Sequence, residues 1–162
     1  MDTFEVVGSL MRERRSIWTG VGKSGYAAQL LAATGATAGL VANFIHAEDL
    51  LHGELSTLRP NDLLVAVTWS GRSEQIYDLL GRSVCPTVLV TSARHQELPR
   101  VASHVVPCAY TVDELLSGIP CESVLETLRI GYELLAAATT PEERRLALQR
   151  GHPHGNLLPD SG

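Results

Sequence analysis

The chain has 162 residues, an ordinary share of apolar and charged side chains and a formal net charge of −5, which fits one domain with a sizeable core. No basic run offsets that charge, which argues against a nucleic-acid partner. Three cysteines, Cys85, Cys108 and Cys121, have no CxxC spacing and read as reduced thiols of a cytoplasmic protein rather than a disulfide framework or zinc site.

Met1 to Glu5 carry neither the basic region nor the apolar core of a signal peptide. A short N-terminal helix is expected over residues 2–15. Residues 16–20 read as a strand entering a glycine turn, residues 24–34 as a helix broken by Gly35, and residues 38–45 as a second strand. Ser24 to Ile45 is uncharged and contains a GxxxG match at Gly35–Gly39. Gln29, Thr34 and Asn43 interrupt the run, so a buried helix, a turn and a strand are expected, not a membrane span.

Residues 47–55 read as a short helix, followed by a turn at Arg59-Pro60-Asn61-Asp62. Leu63 to Thr68 is apolar on both faces, the mark of a parallel strand covered by helices. Residues 73–82 are expected to be helical. Strands follow at 87–91 and at 104–107, the latter at an edge because of Pro107, with a short helix over 94–102 between them. A long helix is expected over 121–138, and Pro141 opens another through Arg150. Residues 151–162, rich in Gly, Pro and His, read as an irregular tail. Repeated strand–helix alternation predicts one doubly wound parallel α/β domain over 1–162. Ligands of such sheets bind beyond the carboxyl ends of the strands, where the loops 20–25 and 68–73 stand.

The first loop is Gly20-Val21-Gly22-Lys23-Ser24-Gly25, and Lys23 is the only lysine among thirteen basic side chains. Arginine is a planar fork, whereas lysine is a compact mobile charge that suits a phosphate or a developing oxyanion. The loop matches GxGxxG, but no acidic residue ends the second strand to hold a ribose, and the spacing of a P-loop fails because Ile17 stands where its first glycine belongs. A nucleotide-dependent oxidoreductase therefore rests on the glycines alone. The second loop, Thr68-Trp69-Ser70-Gly71-Arg72-Ser73, offers three hydroxyls, a permissive glycine and a helix N-terminus, a cradle suited to one phosphomonoester. Ser73 is also a natural N-cap.

His46-Ala47-Glu48 has the HxE spacing of zinc deaminases without the following PCxxC. Glu48 and His52 share a helical face and read as site-lining, with no metal expected. Glu122 and Glu126 sit four apart near the start of the long helix, favourable to its dipole or available as bases. His152, held by Pro153, is a candidate proton carrier.

Together, Gly20 to Gly25, His46 to Leu55, Ser70-Gly71-Arg72-Ser73 and His152-Pro153 resemble the sugar isomerase (SIS) family of phosphosugar-binding domains, arabinose 5-phosphate isomerases above all. The resemblance covers roughly residues 16–158. It implies a flavodoxin-like three-layer α/β/α sandwich with five parallel strands, and a homotetramer with shared active sites. Hydroxyls of Ser24, Ser70 and Ser73, with Thr68 and Gly71 beside them, would hold the sugar phosphate, with Gly22, His46 and Arg72 lining the site. Lys23 and His152 would serve catalysis, His152 in a neighbouring subunit. Three departures stand out. Arg72 replaces the family's glutamate and, with Asn156-Leu157-Leu158, resembles the 6-phospho-3-hexuloisomerases; the N-terminal helix is short; the tandem regulatory modules that follow many arabinose phosphate isomerases are absent. The expectation is an aldose–ketose isomerase working through an enediol(ate) without a cofactor. The carbon base is open among Glu48, Glu122, Glu126 and Asp113/Glu114, with His52 nearby. A 6-phospho-3-hexuloisomerase-like enzyme and a non-catalytic phosphosugar sensor are the alternatives.

Overall fold

A computed structural model of the chain describes residues 2–92, 101–109 and 115–152. Five strands, β1 (Ser16–Gly20), β2 (Ala42–Phe44), β3 (Leu63–Val67), β4 (Thr87–Ser92) and β5 (His104–Cys108), form one sheet in the order β2-β1-β3-β4-β5. Every pairing is parallel. β1, β3 and β4 are buried along their whole length, and β3 is accordingly apolar throughout. β5 lies at an edge, and its Pro107 is exposed there.

Helices cover both faces, completing the expected three layers. Val7 and Met11 of α1 (Thr3–Glu13), Ala28 and Leu31 of α2 (Gly22–Thr37), and Ile130 and Leu134 of α5 (Glu122–Ala138) pack on Trp18, Val65, Val67, Val88 and Val90. Ala47 and Leu50 of α3 (Ala47–Leu51) with Ile76 and Leu79 of α4 (Glu74–Arg82) pack on Ile17, Leu64, Ala66 and Leu89. The strand alternation thus feeds two separate cores. A 3-10 turn over Glu54–Thr57 follows α3 where one longer helix was expected. α6 (Pro141–Gly151) lies outside the two cores and buries none of its residues fully.

Two expectations are corrected at Gly35. The helix does not break there: α2 runs on to Thr37 and ends at Gly39, whose φ of +93° needs a glycine. Gly35 serves packing instead, since a Cβ on it would lie 3.2 Å from Ala42 Cβ and 3.2 Å from Leu135 Cδ2. The second strand accordingly starts at Ala42, not at residue 38. The expected helix over 94–102 falls largely outside the described residues, as does the tail from Pro153. No described helix is long and apolar enough to cross a membrane.

Candidate functional site

In this strand order, β1 sends its chain to one side of the sheet and β3 to the other, which opens a crevice beyond their carboxyl ends. A cleft of about 380 Å³ occupies that position. The loop after β1 contributes Val21, Lys23, Ser24 and Ala27, and the loop after β3 contributes Thr68, Trp69, Ser70 and Ser73. The two loops singled out in the sequence therefore meet. A larger cavity of about 580 Å³, lined by Arg12, Leu40, Ala138 and Leu146 among others, lies where α1, α2 and α5 end, at the opposite end of the sheet.

The glycines shape the first loop. Gly20 and Gly25 touch backbone to backbone, so the first turn of α2 sits directly on the end of β1. Gly22 adopts φ +57° and turns the chain into the helix. In the second loop Gly71 adopts φ +61° and is buried. The Tyr77 hydroxyl donates to its carbonyl at 2.6 Å, and burial pushes the Tyr77 phenol above its usual pKa.

The hydroxyls are arranged for something other than capping. Ser73 is the N-cap residue of α4, yet its side chain caps nothing and lies 3.1 Å from Thr68 Oγ1. Val21, at the N-cap of α2, has no capping group at all. By contrast, α1 and α6 open with full capping boxes, Asp2 with Glu5 and Thr140 with Glu143. α2 and α4, two of the helices that begin at the cleft, have no side-chain cap on their first-turn amides, and such amides attract anions. Among the described residues lining the cleft, Lys23 is the one charged side chain, and it is exposed at the rim.

A third wall comes from α5 and the turn that leads into it: Pro120, Ser123, Val124 and Thr127. Sequence reasoning missed it. Ser123 and Thr127 are buried on the stripe that continues into Ile130 and Leu134, and two hydroxyls on an apolar stripe were the available signal.

Other expected site residues stand elsewhere. Glu122 accepts from the Leu115 amide at 3.0 Å and from the Cys121 thiol at 2.6 Å, and that contact with Glu122 raises the Cys121 pKa. Glu126 accepts from the Ala109 amide at 3.1 Å and pairs with Arg129 at 2.7 Å. The guanidinium holds the Glu126 carboxyl below its usual range. Each carboxylate thus holds a backbone amide, Leu115 for Glu122 and Ala109 for Glu126, and neither lines the cleft. His46 sits behind the first turn of α2, where it accepts from the Glu48 amide at 3.3 Å. Glu48 and His52 do meet, at 3.9 Å, on the outer side of α3. Arg72 is exposed, with its amide on Ser70 Oγ at 3.3 Å. Asp113 and Glu114 lie outside the described residues.

His152 ends α6 beside Ala36, Thr37 and Gly39, at the far end of α2. At 1.5 Å per helical residue, Thr37 is about 20 Å from Ser24. One chain does not bring His152 to its own cleft.

A family model described as SIS domain matches residues 9–119. The arabinose 5-phosphate isomerase KdsD of Francisella tularensis subsp. tularensis is 34% identical over 151 residues, covering 88% of this chain and 45% of the relative. KdsD of Shigella flexneri is 32% identical over 148 residues, covering 85% of this chain and 44% of the relative. The chain thus spans less than half the length of these curated relatives. An Escherichia coli CFT073 protein solved in complex with arabinose 5-phosphate superposes with a TM-score of 0.73 at 26% identity, over 88% of this chain and 80% of that one.

Proposed function

Because the chain belongs to the SIS-domain family, we propose that it is a sugar-phosphate isomerase whose cleft between β1 and β3 holds the phosphate end of the substrate. One observation carries this reading: Ser24, Ser70, Ser73 and Thr68 line a single cleft with two uncapped helix starts and one lysine. That set suits a phosphomonoester, whose oxygens take several neutral donors and one cation. Similarity to arabinose 5-phosphate isomerases at about one-third identity supports a small aldose or ketose phosphate as substrate.

The reaction needs no redox cofactor. A base removes the proton on the carbon beside the carbonyl, and the carbonyl oxygen becomes an enediolate oxyanion near Lys23. A proton returns to the former carbonyl carbon while the adjacent hydroxyl gives up its own, so the product is an isomer. No Asp, Glu or His lines the cleft among the described residues. Asp113 and Glu114 lie outside the described residues and stay candidates for the carbon base, while His152 of a neighbouring copy is assigned the proton transfer between oxygens, in an assembly expected to be a tetramer.

A second reading, a phosphosugar sensor without turnover, is favoured by that same lack of a lining carboxylate and by Arg72. A thermal-shift screen of pentose, hexose and heptose monophosphates against the free sugars tests the site. At about 100 times Kd, a bound phosphosugar adds roughly 2.7 kcal/mol. Equal shifts with free sugars, or a larger shift with NAD, would sink both readings. Aldose–ketose turnover on the hits then separates enzyme from sensor.

A further inference from the structure

The cleft has two unlike walls. Ser24, Thr68, Ser70 and Ser73 give hydroxyls, whereas Val21, Ala27, Trp69, Pro120 and Val124 give carbon. The hydroxyl wall suits a phosphate, and the apolar wall suits the carbon skeleton beside it. A sugar chain presents polarised C–H groups between its hydroxyls, and the negative face of an aromatic ring attracts them. Trp69 is the one aromatic residue of the described lining.

Its position is fixed from several sides. The Trp69 carbonyl accepts from the Ser92 amide at 3.2 Å and from the Thr91 hydroxyl at 3.4 Å. The half-buried residue packs on the core that includes Val67 and Val90. It also stands between Thr68 and Ser70, so one short loop carries both the ring and the phosphate hydroxyls. The separation between phosphate and ring is thereby built into the backbone. On the reading of the cleft as a phosphosugar site, we infer that Trp69 is a specificity-determining residue that stacks on the C–H face of the sugar carbons next to the phosphate.

Intrinsic fluorescence tests this independently of turnover. The chain has two tryptophans. Trp18 is fully buried, with its indole N–H donating to Ser16 Oγ at 3.2 Å, and does not line the cleft. Arabinose 5-phosphate, fructose 6-phosphate and inorganic phosphate are titrated into wild type, Trp69→Phe and Trp69→Ala, with thermal shift as the second readout. A sugar phosphate should change wild-type emission, and the change should vanish in Trp69→Phe while Trp18 emission remains. Trp69→Ala should weaken sugar-phosphate affinity about tenfold and leave that for inorganic phosphate within about twofold. Should Trp69→Ala fold poorly, the Trp69→Phe fluorescence still decides. A sugar phosphate that stabilises wild type without altering emission, or binds Trp69→Ala as tightly as wild type, overturns the stacking role and leaves the phosphosugar reading intact. If neither sugar phosphate stabilises wild type, the phosphosugar reading falls and the inference with it.

Discussion

Gly20, the last residue of β1, and Gly25, in the first turn of α2, are packed against each other without room for a side chain on either. A Cβ on Gly20 would stand 2.9 Å from the Gly25 nitrogen, and a Cβ on Gly25 would stand 3.0 Å from the Gly20 oxygen. Helix propensity alone favours alanine at Gly25, yet here the obstacle is backbone that cannot swing aside. Gly25→Ala should cost about 1–3 kcal/mol through overpacking. Gly22→Ala, with open space around its Cβ, should cost only its left-handed strain, about 1–2 kcal/mol. Urea unfolding of both variants measures this, and a stabilised Gly25→Ala would show that the contact yields.

Lys23→Arg keeps the charge and changes its shape. If Lys23 stabilises the enediolate, kcat should fall on the order of 10²–10³ while KM moves little, because that oxyanion exists only near the transition state. Steady-state kinetics on the sugar phosphate found by screening decides it. A rise in KM with unchanged kcat would make Lys23 a phosphate anchor instead.

His152 stands at the wrong end of α2 for its own cleft, so sharing between copies has a direct test. Lys23→Ala and His152→Ala should each be nearly inactive alone, and mixing them under conditions of subunit exchange should restore part of the activity. A monomer by light scattering at micromolar concentration would remove His152 from the mechanism.

Asp62 is buried where the chain enters β3. It accepts two hydrogen bonds from the Arg15 guanidinium, at 2.9 and 2.6 Å, and one from the Arg59 amide at 2.8 Å. The Arg15 contact above all holds its carboxyl below the usual range. A lowered folded pKa contributes stability that is complete above the unfolded value, about 3.9. That stability is lost as pH falls through the folded value. Asp62→Asn should therefore destabilise by about 1–3 kcal/mol at pH 7, and the gap to wild type should close below about pH 4. Urea unfolding at pH 7 and pH 3 checks the sign.

The central strands were legible because burial on both faces leaves an uninterrupted apolar run, as in Leu63 to Val67. The two cradle loops were legible because each packs its glycines and hydroxyls into six consecutive residues. Gly35 misled because a glycine that breaks a helix and one that lets a neighbour approach look alike until Leu135 and Ala42 are in place. The α5 wall was hidden for a related reason: Ser123 and Thr127 reach the cleft across some fifty residues of chain, which local pattern does not encode. Glu122 and Glu126 show a different ambiguity, since they stand outside the described lining of the cleft. Carboxylates at a helix start resemble catalytic groups, but theirs are engaged by backbone amides.

Pro107 gives the sheet an asymmetric defence. A proline in the outermost strand offers no amide to an incoming chain, and the opposite border, β2, is only three residues long. Neither margin is a template for adding strands end to side, the route by which parallel sheets nucleate fibrils. Among the described strands, a long edge is uncovered only once β5 peels away from β4.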